Sequence, residues 1–159
     1  MKQPQVPKEI VKQIQTSFWL ALLFPLLVLT LFHFLVTMYK EGGMAAEDAN
    51  FAYSLFIILI GTCIVTIPST IYISRNRIKR IEKSIPLQKK LYDYRDAFFW
   101  NLYGVEFCLL FSAIYYLLIA NVQVLILSAS LLILLITLIP TKERIANDLG
   151  LSQKERFEI

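Results

Sequence analysis

The chain has 159 residues, of which 57% are hydrophobic and only 18% charged, with a formal net charge of +4. A soluble domain of this length is ordinarily less apolar and more charged. The apolar residues are also bunched into long runs that leave little chain for a soluble domain. Composition therefore predicts one membrane domain over residues 1–159, with the lipid bilayer as its first partner.

A helix needs ~20 mostly apolar residues to cross a hydrocarbon core ~30 Å thick. Four runs qualify, at about 17–38, 51–73, 98–119 and 122–140. The expected fold is an all-α integral membrane protein, a bundle of four transmembrane helices. Lys2, Lys8 and Lys12 precede the first run, as in a signal peptide. Its core Phe18–Val36 is longer than the roughly 7–15 residues of a signal-peptide apolar region, so an uncleaved anchor is expected. His33, the only histidine, falls in the outer half of this span. A haem held by two histidines would need a second one, so a hydrogen bond within the bundle is the expectation. Pro25 and Pro68 sit inside spans one and two, which membrane helices tolerate. The loop between these spans is polar and contains Gly42-Gly43.

Span two runs into SRNRIKRIEKSIP, where Ile78, Ile81 and Ile85 recur at helical steps. The spacing predicts an amphipathic helix that continues until Pro86. Leu87, Leu91 and Tyr94 then repeat at helical spacing towards span three, giving a helical hairpin over 74–97. Its basic residues Arg75, Arg77, Lys79, Arg80 and Lys83 form either a solvated face or a contact for anionic lipid or a protein. Each would contribute about 1 kcal/mol near an anionic surface. No nucleic-acid-binding module accompanies them, so no nucleic-acid partner is expected.

Span three contains LYGVEFCLL, in which Glu106 is the one ionisable acid. It lies ~12 Å along a helix from Phe98. An ionised carboxylate at that depth is costly, so Glu106 should face other helices or water, or be protonated. Tyr103 can share its face, and Ala113 and Ala120 near the same stripe would let another helix approach. Arg95 is nearly in phase but ~16 Å away along the axis. Glu106, Tyr103 and His33 are thus the candidate intramembrane anchor or proton site. Cys63 and Cys108 both fall within spans and read as small apolar filler.

Spans three and four are joined by about three residues near Asn121, which predicts an antiparallel helical hairpin. In the tail, 141–159, Thr141 suits an N-cap, Gly150 a helix stop, and Ser152 with Glu155 a capping box. Two short helices follow, serving as a small docking surface or an ordered tail.

Basic residues are sharply sorted. Fifteen of the sixteen lie before span one, between spans two and three, or after span four. The positive-inside rule places both termini and the 74–97 hairpin in the cytoplasm. The expected location is the bacterial plasma (inner) membrane. Aromatic residues agree, with Phe18, Trp19 and Phe98-Phe99-Trp100 at the inner edge and Tyr39, Phe51 and Tyr53 at the outer.

No G-x-S-x-G, HExxH or phosphate-binding Gly loop is present, so no catalysis, cofactor or metal is expected. The leading expectation is a non-catalytic subunit that scaffolds, stabilises or regulates a larger membrane protein complex, with a membrane protein or a second copy as partner. The alternative is a small homo-oligomeric transporter or channel, proton-coupled through Glu106, and after that a membrane-embedded enzyme.

Overall fold

The structure, a computed structural model, describes residues 6–39, 48–82 and 84–159. Lys83 and the Gly42-Gly43 loop therefore lie outside the described residues. The described chain is all-helical, with α1 at Pro7–Tyr39, α2 at Ala49–Lys79, α3 at Leu87–Ile119, α4 at Val122–Ile136, α5 at Lys142–Asp148 and α6 at Gln153–Glu158. Three of these, α1, α2 and α3, are long and apolar enough to cross a membrane. This is the architecture of a helical membrane protein. Each of the three is ~46–50 Å long at 1.5 Å per residue, so its ends extend past a hydrocarbon core of ~30 Å.

The boundaries have local causes. Asp48 caps α2 by accepting 3.0 Å hydrogen bonds from the backbone N–H groups of Asn50 and Phe51. Pro7 opens α1, where its missing N–H costs nothing. Both Pro25 and Pro68 are accommodated inside unbroken helices. Two departures from the sequence pattern occur. First, α2 stops at Lys79 rather than running to Pro86, and Arg80 and Ile81 close it with bonds back to Arg77 and Ile78. The chain must reverse here so that α3 can pack along α2, and that pairing overrides the isoleucine period. Pro86 instead precedes the first turn of α3. Second, α4 has 15 residues and ends before Leu138, Ile139 and Pro140. That makes it ~22 Å long, shorter than the other three helices. The proline cannot continue a helix and holds its predecessor extended. The Arg144 guanidinium donates to the freed Thr137 carbonyl at 2.6 Å.

Helix α3 is the hub. Its most apolar stretch is 50% buried, against 11% for those of α1 and α2, and it packs on α1, α2 and α4. Gly104 is why α2 can approach so closely, since a Cβ there would meet the Thr70 side chain at 2.5–2.8 Å. The α3–α4 connection is as tight as expected. Ala120 turns the chain in the left-handed region (φ 53°), and the Asn121 side chain caps α4 by accepting from Gln123 N–H.

At one end of the bundle the beginnings of α1 and α3 meet the tail. Ile10, Val11, Ile14, Leu91 and Tyr94 are buried in the same apolar cluster as Ile145, Leu149, Leu151 and Ile159. Thr141 caps α5, Gly150 takes a positive φ of 58°, and Ser152 and Glu155 form the capping box. The apolar face of the tail is thus consumed within its own chain, except for exposed Phe157. At the other extreme, α1 and α2 leave Leu20, Leu27, Ile64 and Val65 more than 60% exposed along their spans. Such apolar surface belongs against lipid or another membrane helix.

Candidate functional site

Several polar side chains of α3 point to different neighbours and link those elements to the hub. Near its start, Lys90 donates to Glu155 at 2.7 Å and the Tyr94 hydroxyl to Asp148 at 3.0 Å, which ties down the tail. Lys90 is 5% exposed, and its charge is matched in that buried position by the Glu155 carboxylate. Gln15 of α1 closes the same end by donating to the Pro140 carbonyl at 3.2 Å.

Further along, the link to α2 is a pair of thiols. Cys63 and Cys108 are buried, unlinked and within hydrogen-bonding reach of one another, with Thr66 beside Cys108. Ser112 meets Ser128 of α4 at 2.8 Å in a fully buried position. Each serine also has a carbonyl of its own helix at 2.8 Å; with one proton apiece, one hydroxyl donates to its carbonyl and accepts from the other, so neither is left unsatisfied. Tyr116 completes the series with a 2.8 Å hydrogen bond to His33 Nδ1 of α1, the two rings lying stacked at 5.9 Å.

Glu106 breaks this pattern. Among the described residues it makes no hydrogen bond and no ion pair, and it is half-buried. At about 100° per residue, Glu106 is some 20° around the helix from Ala113 and 60° from Tyr103. Ala113 is 1% exposed and Tyr103 is 55% exposed. The carboxylate therefore sits at the margin between the packed side of α3 and its outward side, beside Tyr103, Phe107 and Ile114, all exposed.

The structure does not bring Glu106, Tyr103 and His33 together. His33 is occupied by Tyr116, and the Tyr103 ring packs on Phe99 at 5.5 Å. Arg95 turns away from Glu106 to bond Asp96 at 3.1 Å and to lie over the Tyr92 ring. Comparison with family models, curated proteins and solved structures finds no match.

Among the described residues no cluster of three or more His, Cys, Asp or Glu could hold a metal ion. The basic residues Arg75, Arg77, Lys79 and Arg80 are all exposed, and Arg77 lies over the Trp100 ring at 5.1 Å. Two residues that sequence reading passed over matter here. Asn101 has a buried side-chain oxygen without a partner among the described residues. Tyr116 is the partner of His33, and nothing in the sequence marks it, because the pairing depends on which helices are neighbours.

Proposed function

We propose that this chain is a non-catalytic integral membrane subunit that assembles with other membrane helices, and that Glu106 anchors the contact. The observation behind this is the contrast between Glu106 and the polar groups that pair between helices in the middle of the bundle. His33 pairs with Tyr116 and Ser112 with Ser128 inside the chain, whereas Glu106 is left unpartnered next to an exposed apolar face. An acid at the centre of a membrane helix costs ~3 kcal/mol without a partner, so a donor from another polypeptide would stabilise the assembly. A hydroxyl, amide or basic side chain on a neighbouring helix, or in a second copy, has the required chemistry.

The proposal includes four spans with both termini and the α2–α3 turn in the cytoplasm of a bacterial plasma membrane. Its support is that fifteen of sixteen basic residues fall in three segments of the sequence, and the tail shares an apolar cluster with the start of α1 and bonds to the start of α3.

Two variants test the role of Glu106. Extraction in mild detergent followed by native electrophoresis should show Glu106→Leu dissociated. Glu106→Gln, whose amide still hydrogen-bonds, should remain assembled, and neither should alter proton flux in liposomes. If Glu106→Gln keeps the assembly intact but abolishes proton-coupled flux, the chain is a transporter and the proposal is wrong.

A further inference from the structure

Between the end of α2 and the start of α3 lies an open cleft of about 460 Å³. This is within the range of roughly 300–1,000 Å³ typical of small-molecule sites. Three cations line it, Arg77, Arg80 and Lys89, and so do three carboxylates, Glu82, Asp93 and Asp96. Arg80, Lys89, Glu82 and Asp93 are exposed and form no ion pair among the described residues, which leaves them available to a ligand. Two of the charged groups are held in place from outside. The Arg77 guanidinium rests on the Trp100 ring at 5.1 Å, and Arg95 donates twice to Asp96 at 3.1 and 3.2 Å.

The position of the cleft selects the ligand. Trp100 stands where the apolar part of α3 begins, the depth at which indole rings settle between hydrocarbon and headgroups. Arg77 is at that level and Asp96 about one turn from it, and Ile81 and Ile85 add apolar lining. We propose that the cleft binds the phosphoethanolamine group of a membrane phospholipid. Its phosphate would be held by Arg77 and Arg80, with Lys89 adding positive charge at the outer end of the cleft, and its primary ammonium would donate to Asp93, Asp96 and Glu82. Each contact is a charge-assisted hydrogen bond. A phosphoglycerol headgroup offers the three carboxylates only neutral hydroxyls, without the positive charge of an ammonium. A phosphocholine headgroup has no N–H to donate to them. This inference goes beyond the assembly role of Glu106, which is more than two helical turns away on α3, and fails or stands separately from it.

The experiment uses the full chain in a neutral detergent, equilibrated with equimolar dioleoyl phosphatidylethanolamine, phosphatidylcholine and phosphatidylglycerol. Bound lipid is read by native mass spectrometry. Phosphatidylethanolamine should be retained about tenfold over each competitor, the ratio expected from one lost charge-assisted contact. The doubly substituted Asp93→Asn, Asp96→Asn protein should turn the preference towards phosphatidylglycerol, and Arg80→Gln should lower retention of both. Circular dichroism checks that the variants fold. Equal retention of phosphatidylcholine, a wild-type preference for phosphatidylglycerol, or an unchanged preference in the double variant would overturn the proposal. Displacement of the lipid by an equal concentration of soluble phosphoethanolamine would overturn its assignment to a lipid.

Discussion

Replacing Gly104 by alanine should separate the two longest-paired helices, and the size of the effect follows from three distances. The new Cβ would stand 2.5 Å from Thr70 Oγ1, 2.6 Å from Cγ2 and 2.8 Å from Cβ. Ordinary carbon contacts are ~3.5–4.0 Å, so the shortfall is about 1 Å. Thr70 cannot swing aside. Its hydroxyl bonds the carbonyls of Thr66 and Ile67 at 3.0 and 3.1 Å, and its Cβ is fixed to the helix whatever its rotamer. The helices must therefore part, loosening the Cys63–Cys108 and Arg77–Trp100 contacts on either side. Overpacking of this kind costs about 1–3 kcal/mol, and the absence of a yielding neighbour puts Gly104→Ala at the upper end. Gly61 is the control, because a Cβ there meets nothing within 4 Å. Gly61→Ala should be neutral or stabilising by up to ~1 kcal/mol through helix propensity. Combining Gly104→Ala with Thr70→Gly should recover more than half of the loss. The assay is equilibrium unfolding in mixed detergent micelles followed by circular dichroism. If Gly104→Ala unfolds at the same point as Gly61→Ala, the close approach of α2 and α3 described here is wrong.

Other consequences are quicker to check. The Glu155 carboxylate is held down to about 2 from an ordinary 4.5, first by the Lys90 hydrogen bond and then by those from Ser152. A depressed carboxylate contributes stability above its unfolded value that is lost as pH falls to the folded one. Protease protection of the tail should thus be constant from pH 7 to 5 and fall between about 4.5 and 2, and Glu155→Gln should abolish that dependence. Tyr116→Phe removes the bond to His33 and should cost ~0.6 kcal/mol, and at most ~1.7, in the same unfolding assay. Ala120 holds a left-handed conformation that suits glycine, so Ala120→Gly should stabilise by roughly 0.5–1 kcal/mol. A loss would mean that the Ala120 methyl packs more tightly than its backbone strains.

Much of the fold was legible because membrane helices announce themselves by length and apolarity. The caps at Thr141 and Ser152, the stop at Gly150 and the tight turn near Asn121 were also legible, because each depends on neighbours in sequence. The end of α2 was not, since the isoleucine spacing continues past Lys79 while the real constraint is packing against α3. The facing cysteines were half legible. Cys63 and Cys108 lie almost equidistant in sequence from Pro86, where an antiparallel hairpin would bring them level. The His33–Tyr116 bond was hidden, because α1 and α3 are joined through the whole of α2 and sequence does not order helices around a bundle. For Glu106 the sequence marked the residue and its depth. Only the structure shows that the internal candidates His33 and Arg95 are engaged elsewhere.

The central claim is that the α3 face beside Glu106 meets another polypeptide inside the membrane. Tyr103 is exposed on that face, so benzoylphenylalanine can replace it with its added ring pointing away from the bundle. Irradiation in native membranes should then cross-link the chain to a protein, either a second copy or a distinct partner, and Glu106→Leu should remove the cross-link. Adducts with lipid alone at this position would contradict the claim.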